Sequence, residues 1–184
     1  MAVAQKKDSK YTYQDYLAWP DEERWEIIDG QAYNMTPAPS TAHQRAANRI
    51  NILLATHTSL PKGCQVFIAP TDVVLSESDV VQPDVFIVCD QGKITEGNIQ
   101  GAPDLVVEVL SPATALKDKR EKKALYERGG VREFIVIDPI ERYVERYALD
   151  AHGRYGHPDL LGSQEVLTLK VFGGLEIPLH DVFE

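Results

Sequence analysis

The sequence predicts an α/β fold of the α+β kind, with a mostly β-sheet core flanked by two main helices. Short apolar segments bounded by turn residues recur along the chain and predict strands. Two longer segments carry apolar residues at helical spacing, which predicts helices that pack on the sheet. The first residues are polar, and we expect a flexible tail at residues 1–11. Because no repeat, low-complexity tract or linker interrupts the rest of the sequence, we expect a single domain over residues 12–184.

The first elements are a short helix and a β-hairpin. Residues 12–19 predict the helix, and Pro20 ends it because a proline disfavours helical geometry in the residue before it. The hairpin joins residues 24–28 to residues 31–35 through Asp29-Gly30, a dipeptide typical of two-residue hairpin turns.

The two main helices enclose most of the predicted strands. The first begins at Ser40 or Thr41, either of which can cap it, and runs to about residue 56. The second begins at Thr114 and ends at the glycine pair 129–130. The predicted strands cover residues 64–68, 72–75, 84–89, 105–110, 134–137 and 142–149. Residues 152–184 are expected to alternate turns with short strands such as residues 165–171.

The charge balance limits the kinds of partner that the chain can have. Lys and Arg number 19 and Asp and Glu number 28, so the formal net charge is −9. Proteins that coat nucleic acid through many phosphate contacts are usually basic, so this balance argues against such a coat. It is compatible with an enzyme that touches a few phosphates at one site. Residues 117–128 are the exception, because six basic and three acidic residues give them a local charge of +3.

Two further features predict a cytoplasmic protein with no membrane partner. No apolar run approaches the roughly 20 residues of a membrane-spanning helix, and no apolar stretch follows the first lysines as in a secretory signal. The two cysteines, Cys64 and Cys89, are too few for a disulfide framework. We expect both to be inert thiols within strands, as in a reducing cytoplasm.

Two acidic residues interrupt or open apolar strands. Glu108 lies in the middle of a strand that is otherwise apolar, and a buried unpaired carboxylate costs several kcal/mol. Glu108 must therefore be protonated, paired or bound to a metal. Asp84 begins another apolar strand, where its carboxylate can simply face solvent. If the two strands are neighbours, however, the two carboxylates supply the oxygen ligands that a hard divalent cation needs.

One lysine of the basic helix is expected to point towards the sheet. At about 100° per residue, Lys122 lies between Leu125 and Tyr126, the large apolar residues of the helix. Lys119 and Lys123 turn towards solvent in the same projection. An inward lysine needs a carboxylate partner or a chemical role. The alternatives are an ion pair with Glu108 or Asp118, or a lysine that orients water or stabilises a phosphate beside a metal.

Taken together, these residues resemble the Uma-two family. The matching segments are residues 25–30, 39–44, 83–84, 103–114, 130–139 and 174–179, together with Asp118, Lys122 and Tyr126. The resemblance covers essentially residues 12–184, and its motifs are specific in combination although none is specific alone. The family is described as restriction-endonuclease-like proteins of the PD-(D/E)xK nuclease superfamily.

The resemblance implies a mixed β-sheet core flanked by helices, here with extra N- and C-terminal strands, and a magnesium-dependent nuclease site. In this superfamily an Asp and a Glu on adjacent strands hold Mg²⁺ and a Lys assists the attacking water. Asp84 matches the Asp and Glu108 the Glu. The usual lysine position, two residues after the Glu, is Leu110 in this chain. Some relatives carry the lysine on the following helix, and Lys122 matches that relocation.

Four other residues are weaker candidates for the same site. Asp104 forms a second Pro-Asp pair, and it shares a strand face with Glu108. Asp118 lies one turn before Lys122. Glu26 interrupts an apolar strand, where it either adds a ligand or forms a cross-strand ion pair. His43 lies in the first turn of its helix, where a neutral histidine commonly bonds only to nearby backbone.

These observations lead to two hypotheses of different classes. The first is a metal-dependent endonuclease that hydrolyses phosphodiester bonds of DNA with Mg²⁺ or Mn²⁺ at Asp84 and Glu108. Cutting both strands of DNA needs two sites, and proteins of the superfamily often form dimers. We therefore expect a homodimer by analogy. The second hypothesis is a catalytically silent module that keeps the nuclease fold for binding or assembly, which the net negative charge favours.

Overall fold

The computed structural model describes residues 10–20, 23–35, 38–112 and 118–184, with only the backbone described at Asp118. Its helices are α1 (Tyr13–Tyr16), α2 (Thr41–Ala55), a π-helical turn (Asp118–Lys122) that leads into α3 (Lys123–Gly129), and α4 (His180–Phe183). Its strands are β1 (Trp25–Ile28), β2 (Gln31–Asn34), β3 (Gln65–Ile68), β4 (Val73–Ser76), β5 (Asp79–Val81), β6 (Val85–Val88), β7 (Ile99–Gln100), β8 (Leu105–Val109), β9 (Glu133–Asp138), β10 (Tyr143–Ala148), β11 (Asp159–Gly162), β12 (Val166–Leu169) and β13 (Leu175–Pro178).

The central sheet has six strands in the order β11-β10-β9-β8-β6-β3. It is mixed, because β8 and β9 are parallel whereas the other neighbours are antiparallel. A second sheet has the order β2-β1-β5-β4-β7, and β12 and β13 form a separate hairpin. The architecture confirms the predicted fold class, a mixed sheet flanked by helices with additional strands near both ends of the chain.

Alternating side chains of the central strands divide the core into two layers. On one face, Ala46, Ile50 and Leu54 of α2 pack against Val107 and Ile135. This face also receives the C-terminal hairpin and α4. The helix is placed by its own sequence, because the Ser40 side chain accepts a hydrogen bond from the His43 main-chain N–H at 3.2 Å and caps the first turn.

The other face of the central sheet holds α3 and part of the second sheet. Leu125 and Tyr126 pack there with Val106 and Phe134, and Ile28 of β1 joins the same cluster. Residues of β1 alternate between faces, so Glu26 and Ile28 point towards α3 while Ile27 points the opposite way. Ile27 lies in a small cluster bordered by aromatic residues of the N-terminal segment. Glu26 is therefore carried into the space between the two sheets.

The hairpin of β1 and β2 forms as the dipeptide predicts. Asp29 and Gly30 have φ values of 56° and 74°, the left-handed conformations that a type I′ turn requires. The first helix is shorter than predicted, since only Tyr13–Tyr16 are helical, within a capping box formed by Thr12 and Asp15. Residues 1–9 of the predicted tail lie outside the described residues, and the Tyr11 main-chain N–H donates to the Gly30 carbonyl at 2.8 Å.

The predicted elements differ from the structure in two places, and one prediction lies outside the described residues. Strands β5 and β7 were not predicted, because they have only three and two residues and too little alternation to detect. The predicted start of the second main helix at Thr114 lies outside the described residues. In the part that is described, the segment enters α3 through a π-helical turn rather than a regular α-helix.

The expectation of two free thiols was wrong, because Cys64 and Cys89 form a disulfide. Cys64 precedes β3 and Cys89 follows β6, and these strands pair antiparallel with Gln65 opposite Val88. The two cysteines are therefore cross-strand neighbours despite a sequence separation of 25. Nothing in their spacing along the chain reveals a pairing that depends on strand register.

In the described part of the chain, no helix is both long enough and apolar enough to cross a membrane.

Candidate active site

The structure brings Asp84 and Glu108 to the same end of two neighbouring strands. Val85 of β6 lies opposite Val107 of β8 in the antiparallel pair. Asp84 directly precedes β6, so it lies at the level of Glu108. The Val109 main-chain N–H donates to Asp84 Oδ2 at 2.8 Å and fixes that carboxylate beside β8.

Glu108 is buried within hydrogen-bonding distance of two donors on the helix above it. Its side chain is only 4% exposed, and Lys122 Nζ lies 2.9 Å from its Oε1 atom. The Tyr126 hydroxyl donates to the same oxygen at 2.6 Å. Lys122 and Tyr126 are four residues apart, so one face of the helical segment supplies both donors.

Lys122 joins the central sheet to the second sheet. Its ammonium lies 2.9 Å from Glu108 Oε1 and 2.8 Å from Glu26 Oε1, and its side chain is 4% exposed. Glu26 on β1 is completely buried. Two carboxylates from different sheets thus contact one ammonium, and these three groups carry a net charge of −1. We call Glu26, Lys122 and Glu108 the site cluster.

His43 lies on the other side of Asp84. Its Nε2 atom is 3.2 Å from Asp84 Oδ2, and the histidine side chain is 8% exposed while that of Asp84 is 20% exposed. The first turn of α2 therefore reaches the carboxylate, as a helix capped at Ser40 would allow. Among Asp84, Glu108 and Glu26, Asp84 is the carboxylate most open to solvent.

One of the weaker candidates, Asp104, is not brought to this cluster, and another, Asp118, cannot be placed from the described residues. Asp104 lies before the opposite end of β8, where its carboxylate accepts from the Cys89 N–H at 2.8 Å and pairs with Arg132 at 3.1 Å. Its proximity to Glu108 in sequence does not place it at the same end of the strand. The side chain of Asp118 lies outside the described residues.

Two other lysines of the basic helix, Lys119 and Lys123, contact the protein instead of pointing only to solvent, contrary to the helical projection. Lys119 Nζ lies 2.6 Å from Glu145 Oε1 and donates to the Tyr143 hydroxyl at 2.9 Å. Lys123 Nζ lies 4.6 Å from the centre of the Tyr147 ring. The π-helical turn and the nearby strand β10 account for the difference, because a regular projection includes neither of them.

Sequence reasoning missed two residues that support the cluster. Tyr126 was treated as part of the apolar face, yet its hydroxyl holds Glu108. Gln82 was treated only as part of the segment before Asp84, yet its main-chain N–H donates to Glu26 Oε1 at 3.2 Å. A polar residue between a buried strand and a Pro-Asp pair is the sequence signal that points to Gln82.

The residue types present fit a hard divalent cation in part. Asp84 and Glu108 supply carboxylate oxygens, which Mg²⁺ and Mn²⁺ prefer. Among the described residues, no group of three or more His, Cys, Asp or Glu side chains is arranged to hold a metal. Mg²⁺ is commonly held by one or two protein carboxylates while water and substrate phosphate complete its shell. The donor set therefore suits a metal that binds together with a phosphate.

Comparison with known proteins places the chain in a family. The model of the Uma2 family, described as "Putative restriction endonuclease", matches residues 13–180. Two uncharacterized proteins of Synechocystis sp. (strain ATCC 27184 / PCC 6803 / Kazusa) are each 27% identical to the chain. For slr1290 the match spans 144 residues, 75% of this chain and 74% of that protein. For sll1609 it spans 158 residues, 83% of this chain and 88% of that protein.

A solved structure shares the fold. It is the crystal structure of a protein from Anabaena variabilis ATCC 29413 described as "a putative nuclease belonging to DUF820". The TM-score is 0.75 at 19% sequence identity, and the match covers 94% of this chain and 97% of that one. The resemblance drawn from the motifs is thereby confirmed, and the chain belongs to the Uma2 family of restriction-endonuclease-like proteins.

Proposed function

We propose that the protein is a metal-dependent endonuclease that hydrolyses phosphodiester bonds of DNA. The observation that carries this proposal is the buried ammonium of Lys122, held 2.9 Å from Glu108 on the strand beside Asp84. A lysine next to two acidic residues on neighbouring strands is the combination that phosphodiester hydrolysis needs: metal ligands together with a cationic group.

Asp84 and Glu108 would hold Mg²⁺ or Mn²⁺. When bound, such an ion lowers the pKa of a water ligand and neutralises charge on the phosphate. The surroundings of the two acids support this role. The Val109 N–H fixes Asp84, and the Tyr126 hydroxyl fixes Glu108, so neither carboxylate has to be ordered when substrate arrives.

Lys122 positions the attacking water or a phosphate oxygen. An ammonium carries three N–H donors and no acceptor, so it suits negatively charged oxygen atoms. Its contacts with Glu26 and Glu108 fix the direction in which Nζ points. Residues 117–128 have a local charge of +3, which would attract the DNA backbone although Lys119 and Lys123 also contact β10.

The metal site is tested by calorimetric Mn²⁺ titration of wild type, Asp84→Asn and Glu108→Gln. An acidic protein binds cations weakly at many places, so the comparison between variants decides the result. We expect one saturable site in wild type that both variants lose. Glu133→Gln is the matched control, because Glu133 is a buried acid of the same sheet outside the site cluster, and it should keep the site. Equal isotherms for all four proteins, with and without an oligonucleotide, would rule out the metal site.

The role of Lys122 is tested by cleavage of a mixed set of DNA substrates with Mg²⁺ or Mn²⁺. Lys122→Ala should lower the turnover at least about 100-fold, the usual size of an effect on a group that stabilises developing charge. Unchanged turnover would remove the lysine from the mechanism. Sedimentation of the active sample tests the homodimer that two-strand cleavage would need.

The silent module remains the second candidate, and two observations favour it. The net charge of −9 opposes broad contact with nucleic acid, and the described residues include no cluster of three or more metal-ligating side chains. This candidate predicts no metal-dependent cleavage and no loss of Mn²⁺ binding in the Asp84 and Glu108 variants.

A further inference from the structure

Gln82 lies where the second sheet meets the candidate site. It directly follows β5, precedes Pro83-Asp84, and is 7% exposed. Buried polar side chains are usually fully hydrogen-bonded, and an amide has both donors and an acceptor to satisfy. The partners of Gln82 therefore reveal what holds this part of the chain in place.

The acceptor side of the amide is held by a guanidinium. Arg24 donates to Gln82 Oε1 from Nε at 2.9 Å and from a terminal nitrogen at 2.8 Å. Two hydrogen bonds that converge on one oxygen fix both the position and the orientation of the amide. Arg24 itself directly precedes β1, the strand that carries Glu26.

The donor side of the amide is held by Asp72 and Tyr16. Gln82 Nε2 donates to Asp72 Oδ1 at 2.9 Å and to the Tyr16 hydroxyl at 3.3 Å. The Tyr16 hydroxyl also donates to Asp72 Oδ1 at 2.8 Å. Burial and the nearby Asp72 carboxylate raise the pKa of Tyr16 above its ordinary value, so this hydroxyl keeps its proton. The amide of Gln82 thus has one orientation that satisfies every partner.

The main chain that this side chain immobilises contacts the candidate site at two points. The Gln82 N–H donates to Glu26 Oε1 at 3.2 Å, and Glu26 in turn contacts Lys122. Two residues later, Asp84 accepts from the Val109 N–H at 2.8 Å. Pro83 between them has a fixed φ, so a displacement of Gln82 moves both acids.

We infer that Gln82 is a positioning residue, whose clamped amide fixes Glu26 and Asp84 together and so sets the geometry between Lys122 and the metal-ligating carboxylates. The inference rests on the proposed function in assigning chemistry to these acids. It adds that the second sheet, through Arg24, Asp72 and Tyr16, takes part in building the site.

An exchange of two functional groups tests this role. Gln82→Glu keeps the size of the side chain and the contact with Arg24, but it places a carboxylate oxygen where Nε2 now donates to Asp72. The double variant Gln82→Glu/Asp72→Asn swaps amide and carboxylate, so the donor now comes from position 72 and the net charge equals that of wild type. If the single variant fails to fold, Gln82→Asn replaces it, because a side chain one methylene shorter cannot reach both sets of partners.

The first measurement is amide hydrogen exchange at position 82 and at Val109, which requires no activity. We expect exchange at both amides to be at least about tenfold faster in the single variant and to return to the wild-type rate in the swapped pair. The second measurement is Mn²⁺ affinity and the turnover number for DNA cleavage. Loss of an outer partner typically costs about 10- to 100-fold in metal affinity or activity, and we expect such a fall with recovery in the swapped pair.

Glu133→Gln serves as the control for general destabilisation, because it disturbs a buried ion pair at the other end of β9. It should lower the melting temperature without changing Mn²⁺ affinity or exchange at the two amides. Unchanged exchange in Gln82→Glu, or a folded swapped pair that fails to recover, would overturn the positioning role. A wild type that neither binds Mn²⁺ nor cleaves DNA would instead overturn the proposed function, and the exchange data would still decide whether Gln82 positions the acids.

Discussion

Two buried groups of charged residues lie on the central sheet and differ in how their charges are matched. The site cluster joins Glu26, Lys122 and Glu108. A second group, which we call the anchor cluster, joins Glu133, Arg146 and Asp159. Glu133 pairs with Leu105 and Glu108 pairs with Val136, so the two acids lie three residues, about 10 Å, apart along the strands and on opposite faces of the sheet.

In the anchor cluster one guanidinium also contacts two carboxylates, but each acid meets a different nitrogen atom and one acid, Asp159, is largely exposed. Arg146 Nε lies 3.0 Å from Glu133 Oε1, and its terminal nitrogen contacts the exposed Asp159 at 2.6 Å. Glu133 also accepts from the N–H groups of Lys170 at 3.0 Å and Val171 at 3.2 Å. The planar guanidinium and two backbone donors leave the carboxylate fixed, and they fasten the C-terminal segment to the sheet.

In the site cluster one ammonium is shared by two carboxylates. An ammonium is a compact charge on a flexible stem rather than a planar fork, and Asp84 adds a third carboxylate nearby. The formal charges of the three cluster residues and Asp84 sum to −2, and His43 lies 3.2 Å from Asp84. Buried acidic charge of this kind is costly unless a cation compensates it. The anchor cluster is thus held by contacts within the protein, whereas the additional acid beside the site cluster is what supports the proposal that a cation binds there.

The largest expected effect comes from removing the cation of each cluster. Removing one partner of a buried ion pair typically costs about 3–5 kcal/mol, so Lys122→Met and Arg146→Met should both lower the free energy of unfolding by that amount in urea denaturation. Mn²⁺ should stabilise Arg146→Met only as much as wild type, because the Asp84 and Glu108 site is intact in both proteins. It should stabilise Lys122→Met more, because the ion also compensates the acids that the lost ammonium leaves. An equal response of the two variants to Mn²⁺ would remove the distinction between the clusters.

Metal binding to the native state gives the next effect. At free Mn²⁺ about 100 times the dissociation constant, the free energy of unfolding should rise by about 2.7 kcal/mol. Asp84→Asn should abolish this rise. Asp104→Asn should keep it, because Asp104 pairs with Arg132 beyond the opposite end of β8. Thermal unfolding with and without Mn²⁺ measures the effect, and loss of the response in Asp104→Asn would reassign the second Pro-Asp pair to the site.

The smallest expected effect is the difference between removing the hydroxyl of one buried tyrosine and removing that of another. The hydroxyl of Tyr126 donates to the Glu108 carboxylate at 2.6 Å, whereas that of Tyr155 donates to the Val131 carbonyl at 2.6 Å. A hydrogen bond to a charged group contributes about 1.5–3 kcal/mol and a neutral one about 1 kcal/mol. Tyr126→Phe should therefore destabilise the protein more than Tyr155→Phe, and only Tyr126→Phe should weaken Mn²⁺ binding. Equal Mn²⁺ affinities in the two variants would show that Tyr126 has only a packing role.

Glu108 and Lys122, the centre of the candidate site, could be identified from the sequence because each stands out in its local pattern. Glu108 is conspicuous as an acid within an apolar strand, and Lys122 falls on the apolar face of its helix. The structure buries both side chains and places their polar atoms in contact. The projection succeeded for Lys122 despite the π-helical turn, because Leu125 and Tyr126 follow within one turn and fix that face.

The partners of these residues could not be predicted, because they depend on how distant segments meet. Glu26 reaches Lys122 only because β1 and β5 pair and turn one face towards α3. Gln82 contacts Glu26 through its main-chain N–H, and Tyr126 contacts Glu108 through its hydroxyl. The spacing of apolar residues in the sequence carries no information about either contact. The Cys64–Cys89 disulfide likewise depends on the register of β3 and β6.

The sequence by itself determined the fold class, the β1–β2 hairpin, the boundaries of α2 and the glycine end of α3. It also identified the acidic and basic residues that stand out in apolar segments. These are local properties, set by backbone preferences and by the cost of burying charge. The tertiary structure alone decided which carboxylates share Lys122 and which main-chain N–H groups bind Asp84 and Glu26. It also decided that Asp104 pairs with Arg132 at the other end of β8. Those outcomes follow from strand register and from the packing of two sheets around one helix, where each contact joins residues far apart along the chain.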